Sequence, residues 1–333
     1  MSYVQVLRGG LLESRHRVNA AVVNADGRLL ASVGDPYFTS FLRSSAKPFQ
    51  ALTLIPHLEQ LGLDSGHLAV AMASHNGEPI HVQTVADLQA KSGVKLEWLV
   101  CGTHQPFSAK ARAALRAANQ KPSVLQHNCS GKHSGMLAAC LAKGFPTTGY
   151  EQPDHPLQQG IAADIRTLME QGTLEVAIDG CSVPCYRIPL ERVAFGMTRF
   201  VAPQAAPSSY QAQLEAAFAA MREHPYLIAG EGRIDTILMQ HVPGLISKIG
   251  AEAFMVLALR DTRYGAIGIA MKIEDGTERA RDVAVLRILE RLGVITSDDT
   301  RFSSFRNTIL KNHAGLQVGE INAAFDLALH QPQ

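Results

Sequence analysis

The chain reads as an α+β protein, a mixed sheet assembled from strands near its two ends and flanked by helices. Three observations predict this. A hairpin of alternating apolar and polar residues opens the chain, and a second hairpin with longer apolar runs lies near its end. Between them the apolar residues recur mainly at helical spacing, without a repeating βαβ unit.

Residues 18–24 (VNAAVVN) and 28–34 (RLLASVG) flank Asn24-Ala25-Asp26-Gly27, a strand–turn–strand signature. The stretch 44–63, SSAKPFQALTLIPHLEQLGL, predicts one helix with Pro48 in its first turn and Gly62 at its end. Residues 67–78 (HLAVAMASHNGE) read as a buried segment running into a polar loop. KLEWLVCG, 95–102, reads as a strand with Trp98 in the core, and 109–119 as a helix. Residues 131–144 predict a helix entered through the polar turn HNCS and capped by Gly144. A further helix over 155–172 is stopped by Gly172. AFMVLALR (253–260) and GAIGIAMKI (265–273) form the second hairpin, and 279–295 is an amphipathic helix. No internal repeat appears. The Ala/Pro/Ser stretch 201–209 reads as a linker or a surface loop.

With 333 residues the chain can bury a large core. It reads as a single catalytic unit, 1–333, within which about 75–200 can form a helical subdomain. A net charge of +1 without a long Lys/Arg run argues against nucleic-acid and membrane-surface partners and for a small-molecule substrate. The N-terminal MSYVQVLRGGLLESRHR has no signal-peptide pattern, and no apolar run is long enough for a spanning helix. Cysteines number five, an odd and sparse set that predicts free thiols and a cytoplasmic setting.

The chemistry-bearing residues fall in a fixed order. Ser44 precedes Lys47 by three residues, which puts both on one helical face, with Ser44 as nucleophile and Lys47 as base. Alone the pair says little, because Ser92–Lys95 repeats the spacing and a helix-capping serine explains Ser44 equally well. Ser74-His75-Asn76 and Lys248-Ile249-Gly250 then complete an S-x-x-K, S-x-N, K-x-G series similar to that of penicillin-recognising serine enzymes.

HNCSGKHSG (127–135) lacks the glycine and hydroxyl of a phosphate loop. Cys129 there reads as a thiol nucleophile or, with His127, His133, Cys181 and Cys185, as a soft metal ligand. Cys101 and Cys140 read as core. Asp179 is either plain turn chemistry or a grip on a substrate ammonium. Arg43 either binds a substrate carboxylate or lies along the surface.

Taken together, FLRSSAKPFQ, ASHNGEP, HNCSGKHSGML, His155-Pro156-Leu157-Gln158, DGCSVPCY and GAEAF resemble the rhizobial-type, class 3 L-asparaginases of the asparaginase II family, over about residues 3–328. The resemblance implies a fold like that of serine β-lactamases and glutaminases, a homodimer, and hydrolysis of L-asparagine to L-aspartate and ammonia. Carried onto this chain it makes Ser44, Lys47, Ser74 and Lys248 catalytic, and Arg43, Asp179 and His133 substrate-binding. It also implies a zinc ion held by Cys129, Lys132 and Cys181. One departure concerns GEGRID (230–235), where the family often carries a cysteine after the arginine and this chain has none. Two other readings remain open at this point: a β-lactam or peptide hydrolase, and a zinc-binding protein without catalysis.

Overall fold

The computed structural model describes residues 2–306 and 308–330. Strands β1 (Ser2–Arg8), β2 (Leu11–Asn24), β3 (Leu29–Val33) and β4 (Thr39–Phe41) open the chain. Six helices follow: α1 (Lys47–Gln50), α2 (Ser65–Ala71), α3 (Pro79–Ser92), α4 (Ala109–Ala117), α5 (Ser130–Lys143) and α6 (Pro156–Leu168). Strands β5 (Glu175–Ile178) and β6 (Pro184–Pro189) lead into α7 (Leu190–Val201), α8 (Ser208–Glu223), α9 (Pro225–Ile228) and α10 (Ile234–His241). The chain returns through β7 (Leu245–Ile249), β8 (Phe254–Thr262) and β9 (Gly265–Ile273) to α11 (Glu278–Arg291) and α12 (Ser303–Arg306). It closes on β10 (Thr308–Lys311), β11 (Gln317–Phe325) and β12 (Ala328–Leu329).

A sheet of nine strands runs in the order β10-β11-β1-β2-β9-β8-β7, with β3 pairing on β2 and β12 on β3. The two ends of the chain therefore interleave, β1 lying between β11 and β2 while β2 joins β9. This is the α+β architecture that the two hairpins predict, and the described pairings are all antiparallel. A separate small sheet pairs β4, β6 and β5.

Both faces of β9 are buried from Ile267 onward, which is why its sequence runs apolar up to Met271 rather than alternating. On one face a Cβ added at Gly268 would lie 1.9 Å from the Ala194 carbonyl oxygen of α7, so only glycine lets helix and strand approach so closely. Ile267, Ile269, Met271 and Ile273 occupy the other alternation, and α11 packs on β9 as well. Each such fully buried side chain contributes about 2 kcal/mol of hydrophobic stabilisation.

Three local expectations change. The stretch 44–63 is not one helix but a 3-10 turn at Arg43–Ala46, then α1, then 3-10 turns at Ala51–Thr53 and Ile55–His57. Pro56 has no N–H to continue an α-ladder, and the Thr53 hydroxyl donates to the Gln50 carbonyl at 3.0 Å. Residues 95–102 form no strand. Leu96–Trp98 is a 3-10 turn, and Trp98 is half-buried with the Lys95 amine 5.4 Å from its ring centre. α6 stops before Gly172, because Glu170 already takes a left-handed φ of 47°. Of the 201–209 stretch, Val201 ends α7 and Ser208 begins α8, and a 3-10 turn at Pro203–Ala205 joins the two helices, which pack on each other.

Candidate active site

The site begins where β4 ends. Arg43 adopts a left-handed φ of 51°, a conformation that costs about 1 kcal/mol or more for a non-glycine residue. That kink starts the 3-10 turn carrying Ser44, which is half-buried, and delivers Lys47 into the core. The end of β7 leans on the same backbone: a Cβ on Gly250 would sit 2.6 Å from the Leu42 carbonyl oxygen. Glycine at this position brings the Lys248 strand against the Ser44 turn.

Ser74 follows α2, and its N–H donates to the Ile228 carbonyl at 2.9 Å. Its Oγ lies 2.9 Å from Lys47 Nζ and 2.9 Å from Lys248 Nζ. One hydroxyl thus bridges two buried amines, the three groups coming from three distant stretches of sequence. Lys47 also donates to the carbonyls of Ala73 (2.6 Å) and Asn128 (3.4 Å), and Lys248 to that of Ile249 (2.9 Å). The hydrogen-bonded hydroxyl of Lys47 is therefore that of Ser74, with Ser44 one turn earlier in the chain. Burial brings the Lys248 amine down to about 7; Asp235 opposes this and the charge of Lys47 reinforces it.

Cys129 is the N-cap residue of α5, and its N–H donates to His127 Nδ1 at 3.0 Å. Lys132 Nζ lies 2.9 Å from Cys181 Sγ. The hydrogen bond between the two thiols pulls Cys129 well below its ordinary range, with Lys47 and Lys132 assisting against burial. The same bond, together with burial, raises Cys181, so the two thiols are pushed in opposite directions. Burial alone would lower Lys132, but the charges of Cys181 and Cys129 outweigh it and hold the amine high.

His133 bonds Tyr150 Oη through Nδ1 at 2.6 Å, while its buried Nε2 has no partner among the described residues. Burial and the neighbouring Lys132 charge bring that imidazole down to about 3. Arg43 Nη2 and Asp179 Oδ1 form an ion pair at 3.0 Å. Burial would raise the Asp179 carboxyl, yet the Arg43 guanidinium holds it below the usual carboxylate range. Ser182, with φ 76° and its N–H on the Asp179 carbonyl at 2.9 Å, tightens the turn that carries Asp179 and Cys181 together.

Lys47, Ser74 and Lys248 are joined by hydrogen bonds, and Lys132 with Cys181 and Arg43 with Asp179 form two further pairs. Ser44 sits in the turn between Arg43 and Lys47, and its hydroxyl makes no hydrogen bond among the described residues. Several further groups were not singled out by motif spacing. Tyr150 orients His133; nothing in its sequence context marks it. His75 meets Ser130 Oγ at 3.0 Å through Nε2 and stacks on His81. Asp235, fully buried, bonds both neighbours of Lys248, and its only sequence signal was its place beside the missing family cysteine.

Among the described residues no group of three or more His, Cys, Asp or Glu side chains is arranged to hold a metal ion. Cys129, Lys132 and Cys181 supply two sulfurs and one amine instead. That donor set, beside the orphaned His133 Nε2, suits a soft or borderline cation able to take the lysine's proton away.

The same residues lie in a chain that a known family describes almost end to end. The L-asparaginase II family model matches residues 4–323, and the chain belongs to that family, which makes it an amidohydrolase. Its fold is similar to that of a β-lactamase from Sphaerobacter thermophilus, at 13% identity and a TM-score of 0.43, covering 84% of this chain and 93% of that one. A Bacillus glutaminase aligns at 11% identity and a TM-score of 0.38, covering 83% of this chain and 91% of that one. A Vibrio cholerae carbapenemase aligns at 13% and 0.37, covering 82% and 94%. No curated protein matches in sequence. No described helix is long and apolar enough to cross a membrane.

Proposed function

We propose that the chain hydrolyses L-asparagine to L-aspartate and ammonia through an acyl-enzyme on Ser44. The observation that carries this reading is the Ser74 hydroxyl held between the Lys47 and Lys248 amines beside the Ser44 turn. Ser44 Oγ attacks the side-chain carboxamide carbon as its proton passes to Lys47. Backbone N–H groups at the head of the turn stabilise the oxyanion, a contribution of about 3 kcal/mol per donor. The C–N bond then breaks, ammonia leaving with a proton relayed through Ser74 and Lys248. Water cleaves the β-aspartyl ester by the reverse relay and restores Ser44.

The Arg43–Asp179 pair sets a cation beside an anion, the complement of an α-carboxylate and an α-ammonium, and His133 lines the same site. Cys129, Lys132 and Cys181 would hold zinc, which when bound supplies positive charge that orients the substrate or a bridging water. The working unit is the whole chain, 1–333, as a cytoplasmic homodimer; its five free cysteines support a reducing setting.

The test is a coupled ammonia assay over asparagine, glutamine and related amides, with and without chelator. Ser44→Ala is expected to lose about three or more orders of magnitude in kcat with its melting temperature retained. Near-normal ammonia release by that variant would refute the assignment.

A further inference from the structure

Among the described residues β7 is the last strand of the sheet, so one row of its backbone groups has no neighbouring strand there. Asp235, in the first turn of α10, covers that edge. Its Oδ1 accepts the Ser247 hydroxyl at 2.6 Å and its Oδ2 accepts the Ile249 N–H at 3.0 Å, so the carboxylate grips the residues on either side of Lys248. It is fully buried, and a carboxylate is an expensive way to satisfy a strand edge when a neutral amide would form the same two bonds. The charge itself therefore has a use.

We propose that Asp235 is a positioning residue that fixes Lys248 on β7 and supplies its counter-charge whenever Lys248 carries a proton. The inference rests on the acyl-enzyme reading, in which Lys248 takes and returns a proton during each turnover. The charged groups facing Lys248 are Asp235 and Arg233 around the start of α10, Lys47 of α1, and Cys129 at the head of α5. Lys47 and Arg233 oppose protonation of Lys248; Asp235 is the foremost group favouring it, with Cys129 behind it. Without Asp235 the relay would place a second positive charge next to Lys47 in the core with little to offset it.

Asp235→Asn separates charge from architecture. The asparagine carbonyl can accept the Ile249 N–H while its amide donates to Ser247 Oγ, so the edge stays covered. The limb of the kcat/KM profile that titrates near pH 7 is expected to move to lower pH by roughly one unit. kcat should fall about tenfold or more, with KM within about twofold because Asp235 does not touch the substrate. Ser247→Ala, which removes one hydrogen bond and keeps the charge, should leave the limb where it is. An active wild type whose limb is unmoved by Asp235→Asn overturns this inference and leaves the proposed function standing.

A stability cycle with Lys248→Met, run below pH 7 where Lys248 is protonated, tests the pair without any turnover. Asp235→Asn should destabilise the wild type more than it does the Lys248→Met background. Equal effects in the two backgrounds refute the pairing, even if the wild type releases no ammonia and the function itself falls.

Discussion

Replacing Lys248 by methionine should remove turnover and, at the same time, change how stability depends on pH. Folding takes the Lys248 amine from 10.5 to about 7 because burial disfavours its charged form. The unfolded chain then binds this proton more tightly than the native one, so wild-type stability rises with pH between those two values. Below the native value, at about pH 6, the full shift of about 3.5 units acts against folding, roughly 5 kcal/mol. At about pH 8.5 some 2 units remain, roughly 3 kcal/mol. Methionine carries no such term. Its loss of hydrogen bonds to Ser74 Oγ and the Ile249 carbonyl is the same at both pH values and cancels in the comparison. The stability of Lys248→Met relative to wild type should therefore be more favourable at the lower pH by about 2 kcal/mol, or about 3 °C in melting temperature for a chain of this size. Urea titrations of both proteins at the two pH values measure it, and the ammonia assay supplies the activity arm. A stability difference that does not vary with pH would show that Lys248 titrates as an ordinary surface lysine, and the buried relay would be wrong.

Gly268→Ala should destabilise by about 3 kcal/mol or more, because the added Cβ meets a backbone carbonyl of α7 that cannot rotate away; a wild-type melting curve would contradict the close packing of α7 on β9. Cys129→Ala should weaken zinc binding about a hundredfold or more, read as metal content after dialysis against a zinc buffer, and unchanged stoichiometry would remove Cys129 from the ligand set.

The two terminal hairpins were legible because their signals are local: apolar runs with Gly27 and Gly265 at the turns. The segment 95–102 misled for the same reason. KLEWLVCG has the composition of a strand, but no neighbouring strand offers it an edge, and with Lys95, Leu96 and Glu97 exposed it closes into a 3-10 turn. In 44–63 the helical spacing was real, yet Pro56 and the Thr53 hydroxyl redirected the ladder, so the apolar face survives on a broken path.

Within the site, the spacing of three spans a 3-10 turn rather than an α-helix, and such a turn also sets residues i and i+3 on one face. Lys47 begins α1 after a 3-10 turn, and its amine passes to Ser74. The S-x-N and K-x-G motifs did propose Ser74 with Lys248; what they could not supply is the edge strand, its register fixed by β8, that carries the lysine to the hydroxyl. Nor does ligand chemistry propose Lys132 beside Cys181; only the family resemblance singled it out.

What the motifs leave unspecified has one cause, burial. A lysine on a surface can be read as a face, a cap or a charge pair, whereas Lys47, Lys132 and Lys248 are each placed in the core, where every polar atom needs a partner from somewhere else in the fold. Ser74 lies 27 residues from Lys47 and 174 from Lys248, and Cys181 lies 49 from Lys132. The residues able to do chemistry are thus visible as short motifs, while the states in which they do it are set by contacts that exist only once the sheet has closed over them.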